Sequence, residues 1–406
     1  MSRLVSKKFA LPFILITSLF FMWGFARAIL DVLNKHFQES LSISITQSTL
    51  IQATTYLGYF LMALPAGLII TRHGYRRGVV MGLLLFGIGS LLFIPGAMSM
   101  SFAMFLLALF VIGCGLAMLE TAANPYAAEL GDKATAASRL NLAQSFNGLG
   151  CILAPVIVGG FLFSGDNGNV AVPYTIMGII VLCVAFMFTR VDLPEIATPD
   201  NENKENESSK AANGTIAAIR HLWSNRTFRF GVLALFFYEV AEISINSLFI
   251  NYATTDGWMS KSTASIVLSF GALGLFMIAR VFGSWIMSRI AAEKVLFFCA
   301  LMTIVGSLAV TLNAGHLSHA GVFVCYAFEA IMFPTIFAIT ISRAGRHVKI
   351  ASSFLMMTPI GGAVGTFLMG YTADITSMST AFVVPAVGYA CVMLYSLYAL
   401  KLKKNV

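Results

Sequence analysis

Charge is what this sequence has least of. Only 11% of its 406 residues are Asp, Glu, Lys or Arg, against about 25% in a soluble domain, and that excludes a water-soluble globular chain. Nucleotide-binding and hydrolytic motifs are missing too: there is no P-loop, no His-Glu-x-x-His and no Gly-x-Ser-x-Gly. An enzyme, or a pump carrying its own ATP-binding module, is therefore not expected. The six cysteines (Cys114, Cys151, Cys183, Cys299, Cys325, Cys391) all fall inside apolar runs, which argues against a disulfide framework or a zinc site. Neither metal nor cofactor is expected. The net charge of +8 is no nucleic-acid footprint, because its distribution along the chain says more than its total.

What remains is apolar: 58% of the chain is hydrophobic. A helix needs roughly 20 apolar residues to cross the hydrocarbon of a bilayer. Runs of that length lie near 9–33, 46–71, 78–96, 102–127, 140–163, 172–190, 228–252, 262–288, 293–313, 319–342, 350–372 and 378–400. The first follows Arg3, Lys7 and Lys8 as in a signal peptide, yet it is too long for one and has no small-residue cleavage site. The expected fold is an all-α polytopic membrane protein with twelve transmembrane helices. Of the 26 Lys and Arg residues, 22 fall at the N-terminus, in every second connection and at the C-terminus. That asymmetry predicts cytoplasmic termini in a multi-pass plasma-membrane protein, a bacterial inner membrane being the natural setting. Residues 191–226 are polar and charged, with a possible amphipathic helix over 215–225. The expected organisation is a six-helix bundle over 1–190, a cytoplasmic linker over 191–226 and a second six-helix bundle over 227–406, in two pseudo-symmetric halves.

Polar residues inside such runs are costly and therefore informative. Glu120 stands out, followed by Asn124 and the helix-breaking Pro125. In the first run Arg27 and Asp31 are four apart, share a face and can pair. The second run carries Gln52, Tyr56 and Tyr59; amides, hydroxyls and aromatic faces suit a polyhydroxylated solute, or helix–helix hydrogen bonding. The fifth holds Asn141, Gln144, Ser145 and Asn147, and the seventh Tyr238, Glu239 and Glu242. Arg280 is a candidate partner for those acids. The roles of Glu239 and Glu329 stay open.

Twelve runs, a central linker and the connection Arg72-His73-Gly74-Tyr75-Arg76-Arg77-Gly78 resemble the major facilitator superfamily, although the acidic member of that family's loop is absent. A more specific likeness lies in Trp23-Gly24, Asp31, Gln52, Gly58-Tyr59-Phe60, Leu119-Glu120-Thr121-Ala122-Ala123-Asn124-Pro125 and Arg139–Asn147, with Phe333-Pro334-Thr335 and Gly361-Gly362 in the second half. These resemble the fucose permease family of fucose–galactose–glucose proton symporters. The resemblance implies that Asp31 and Glu120 are the carboxylates tied to proton coupling and sugar binding. It implies further that Trp23, Gln144, Asn147 and Glu242 face the sugar cavity. Arg27 stands where that family carries amides, which sets fucose itself apart from the other sugars. The expected function is import of a monosaccharide by proton symport through alternating access. Glu120 is the expected proton site, and Trp23, Arg27, Gln52, Tyr56, Asn124, Gln144, Asn147, Tyr238 and Glu242 are the expected substrate residues. Efflux of another small solute and a transport-dead sugar sensor are the rivals. The expected partners are a sugar, a proton and the lipid bilayer, with no nucleic acid, around a monomer.

Overall fold

With no water in the hydrocarbon to satisfy its peptide groups, a chain this apolar must close its hydrogen bonds within helices, and it does. A computed structural model describes residues 10–129, 136–163, 169–190, 219–255, 257–287, 289–341, 351 and 354–404; within these, only the backbone is described at 71–72, 124–125, 127–129, 136–141, 284 and 403–404. In chain order the long helices are α1 (Ala10–Ser40), α2 (Ile45–Ile70), α3 (His73–Ser99), α4 (Phe102–Glu129), α5 (Ala136–Phe163) and α6 (Ala171–Arg190). They continue with α7 (Arg226–Thr255), α8 (Lys261–Met287), α9 (Ala292–Thr311), α10 (His316–Ile341), α11 (Ile360–Ile375) and α12 (Thr380–Leu402). Among the described residues, 11 helices are long and apolar enough to cross a membrane. The other, α11, has 16 residues; of the expected run ahead of it, 351 and 354–359 are described, while 350, 352 and 353 lie outside the described residues. So does the linker over 191–218; within the expected amphipathic segment, 219–224 are helical.

The chain clusters into two compact units, Met1–Ile196 with Asn246–Gly274, and Ala197–Ile245 with Leu275–Val406. Close helix approach through glycines orders the first. A Cβ at Gly113 would lie 2.2 Å from the Thr55 carbonyl oxygen, and one at Gly58 would lie 2.5 Å from that of Phe110, so α2 and α4 touch backbone to backbone. Gly24 and Gly150 do the same for α1 and α5, where an added Cβ would meet the Asn147 and Phe21 carbonyl oxygens at 2.1 and 2.3 Å. Phe93 of α3 and Tyr174 of α6 stack at 3.6 Å with rings only 2° from parallel. Two helix ends depart from expectation. α1 runs to Ser40 rather than stopping near 33, because its last turns trade apolar burial for ion pairs: Lys35 and Lys261 bind Glu39 at 3.6 and 2.6 Å. The connection between α2 and α3 is a single bend at Gly74, at φ 83°, a conformation that favours glycine.

Arg76, just past that bend, is more than a membrane anchor. Its Nε and Nη2 donate to the carbonyls of Phe188 and Thr189 at 3.1 and 2.6 Å, capping the C-terminus of α6 with a cation. Charged hydrogen bonds are each worth about 1.5–3 kcal/mol. Arg76→Ala is expected to lower the unfolding midpoint in detergent clearly, and Arg76→Lys to recover only part of it, since a single ammonium does not reproduce the fork.

In the second unit, α7 is gripped by α11 and α12. Added Cβ atoms at Gly361, Gly365 and Gly388 would meet the carbonyl oxygens of Phe236, Val240 and Phe237 at 2.3, 2.1 and 2.6 Å. Leu222 is buried with Phe228 and Ala351, and Trp223 packs edge-on to Phe228 and Phe354. α10 breaks after Glu329 and resumes at Met332. Pro334 cannot donate to the carbonyl of Ala330 four residues back, and Arg280 of α8 supplies the missing donor, Nε to that oxygen at 3.0 Å. α8 itself widens to a π turn over Val267–Leu273, which periodicity did not reveal.

Candidate functional site

The glycine contacts between α2 and α4 set Tyr59 beside Glu120, and the phenol Oη donates to Glu120 Oε2. Tyr56, one turn earlier, is buried and lies 6.4 Å from the Tyr59 ring. From α1 the guanidinium of Arg27 acts electrostatically on both Glu120 and Tyr59. Glu120 lines a small cavity with Leu19, Phe20, Trp23, Leu119 and Ala123. The Trp23 ring is held edge-on by Phe20 at 6.2 Å. The result is one ionisable acid among apolar and aromatic walls, with a phenol as donor and a cation within reach. Such a group can be neutral when protonated and compensated when charged.

A second carboxylate lies further along α1. Asp31 Oδ1 accepts from Gln52 Nε2 at 3.2 Å and from Ser247 Oγ of α7 at 3.4 Å. Around it Asn34 Nδ2 donates to the Ser247 carbonyl at 2.9 Å, and Asn251 Nδ2 donates to Gln38 Oε1 at 2.5 Å. Gln38 Nε2 in turn donates to Ser48 Oγ at 2.8 Å. Gln52 is 1% exposed, and its Oε1 is buried with no hydrogen-bond partner among the described residues. An unmet acceptor beside a carboxylate is suited to a ligand hydroxyl.

The structure thus draws Trp23, Arg27, Asp31, Gln52, Tyr56 and Glu120 into the first unit, in two adjoining clusters. Arg27, assigned to Asp31 on spacing, acts electrostatically on Glu120. Gln144 of α5 is exposed. Asn147 spends its Nδ2 on the Phe20 carbonyl at 3.2 Å, fixing α5 to α1. The side chains of Asn124 and Asn141 lie outside the described residues. Tyr238 and Glu242 are buried in the second unit, with Tyr238 6.2 Å from the Phe333 ring. The pattern reading grouped Tyr59 with Gln52 and Tyr56 but did not pair it with Glu120. It passed over Asn34 and Gln38 too, which follow Asp31 at helical spacing. Tyr59→Phe, which deletes only the donor to Glu120, is expected to shift the pH profile of any proton-linked activity while leaving the folded fraction unchanged; an unshifted profile would remove Tyr59 from the site.

The model of the Major Facilitator Superfamily matches residues 16–358. The L-fucose-proton symporter of Escherichia coli K12 is 33% identical over 417 aligned residues, covering 96% of this chain and 93% of that protein. A glucose/galactose transporter of Brucella abortus is also 33% identical, covering 95% of this chain and 93% of that one. Among solved structures, a variant of the E. coli fucose:proton symporter FucP superposes with a TM-score of 0.70 at 33% identity, over 96% of this chain and 99% of that one.

Proposed function

We propose a transport reaction for this chain, which belongs to the Major Facilitator Superfamily and, within it, to the family of the fucose and glucose/galactose symporters: the import of a monosaccharide together with a proton, by alternating access. The observation that carries the reading is Glu120, bonded by Tyr59 and set in the wall of a cavity beside Trp23. Protonation there removes a charge that is expensive to enclose, so a loaded carrier crosses its occluded step neutral at this position. Asp31 and the unmet Gln52 oxygen take sugar hydroxyls, since a carboxylate and an amide accept what a hydroxyl donates. Trp23 offers a face for the apolar side of the ring. Gln144 and Asn147 extend the polar lining from α5, Arg27 balances the acids, and Tyr238 and Glu242 are assigned to sugar recognition from the second unit.

The same reading places both termini in the cytoplasm of a bacterium-like cell, following the Lys and Arg distribution. It treats the chain as a monomer and gives it no enzymatic step. Two six-helix bundles, 1–190 and 227–406, joined by 191–226, are the moving parts proposed. Uptake of a labelled hexose into cells, competed by fucose, galactose, glucose and N-acetylglucosamine with and without a protonophore, tests it. One or more of these sugars should compete, and the protonophore should abolish accumulation. Sugar-independent export, or protonophore-insensitive accumulation, would contradict it.

A further inference from the structure

The motif around Glu120 occurs twice. Glu120-Thr121-Ala122-Ala123-Asn124-Pro125 in α4 is matched, six spans later, by Glu329-Ala330-Ile331-Met332-Phe333-Pro334 in α10: a glutamate five residues ahead of a proline at corresponding places in the two repeats. The local chemistry is repeated as well. Tyr389 of α12 donates its phenol hydroxyl to Glu329 Oε2, as Tyr59 of α2 does to Glu120. In the second unit the enclosure is complete, since Glu329 and Tyr389 are both 0% exposed. Glu329 Oε1 has no hydrogen-bond partner, and Glu329 makes no ion pair among the described residues.

The groups that face it come from several helices. Tyr238 and Glu242 of α7, Cys325 of α10 itself and Tyr389 of α12 interact with it, while Glu239 and Arg280 act on the neighbouring Tyr238. Arg280 is tied down next to the acid, by its bond to the Ala330 carbonyl and by the Phe276 ring 4.7 Å from the guanidinium carbon. A carboxylate sealed among other acids, with one oxygen unmet, is far more costly than the neutral acid. The Arg280 guanidinium, bonded to the carbonyl of the next residue, Ala330, is a cation able to offset charge on the acid when it ionises.

We propose that Glu329 is a second proton-carrying carboxyl of the transport cycle, the counterpart in the second repeat of Glu120. The step makes and breaks only an O–H bond: Glu329 takes a proton from water in one state and returns it to water in another. This deepens the symport reading and, for its role in transport, rests on it.

The test uses the full chain reconstituted in lipid and has two arms. Infrared difference spectra recorded across pH read the C=O stretch of a protonated carboxyl. The band should vanish in Glu329→Gln, shift in Tyr389→Phe as the phenol bond is lost, and persist in Glu120→Gln. A spectrum of Glu329→Gln identical to wild type overturns the proposal. The second arm compares uptake of labelled fucose, galactose and glucose driven by a pH gradient with exchange of the same sugars at equal pH. Glu329→Gln should lower the ratio of driven uptake to exchange by about tenfold, one order in the coupling equilibrium, and Glu329→Asp should restore part of it. An unchanged ratio, or an equal fall in both, overturns a proton role. If Glu329→Gln does not fold, the wild-type band and its response to Tyr389→Phe decide. Should wild type move none of these sugars, the transport reading fails while the infrared arm still reports on the carboxyl.

Discussion

Glu120→Gln is expected to abolish accumulation of sugar against its gradient while exchange of sugar across the same membrane continues. The amide keeps an oxygen to accept from the Tyr59 hydroxyl and nearly the volume of the acid, so the α2–α4 contact has no reason to open. What is lost is the exchangeable proton. A gradient of one pH unit is worth ~1.4 kcal/mol per proton and sustains about a tenfold sugar gradient at one proton per sugar. Without the titrating group the share of that ratio driven through Glu120 is lost. Proteoliposomes with an imposed pH gradient read the ratio directly. Accumulation by the variant at the wild-type level would move the coupling site away from Glu120.

The other large effect belongs to Asp31. Asp31→Ala removes the acceptor of the Gln52 and Ser247 bonds at 3.2 and 3.4 Å. It also leaves the buried Gln52 amide without its counterpart. A hydrogen bond to a charged group is worth about 1.5–3 kcal/mol, and ~1.4 kcal/mol is tenfold in affinity. The half-saturating sugar concentration should rise about ten- to a hundredfold. The proton dependence of what transport remains should be retained, because Glu120 is untouched. A lost pH dependence with unchanged sugar affinity would reverse the roles given to the two carboxylates.

These assignments were partly legible in the chain alone. Apolar runs placed the helices because lipid leaves the backbone no other way to bond, and Glu120, Arg27 and Asp31 stood out because charge in such runs is rare. The ends of α1 were not legible, since its final turns are held by the Lys35–Glu39–Lys261 pairs rather than by apolar residues. Tyr59 stood among the polar groups of its run with no carboxyl assigned to it, and Tyr389 drew no notice, until the fold set their hydroxyls on carboxyls. Arg280 looked like a partner for the acids of α7, whereas its bond goes to the carbonyl that Pro334 leaves unmet. Arg76 looked like a surface cation and proved to cap α6. In each case the missing information was a contact between distant segments, which no local pattern carries.

The central claim is that one cycle moves sugar and proton together. The most direct measurement is the external pH of a lightly buffered suspension of cells or vesicles carrying this chain, followed as a transported sugar is added. Symport predicts alkalinisation of the medium on addition, abolished by a protonophore and absent in Glu120→Gln. Entry of the labelled sugar with no change in external pH would contradict it.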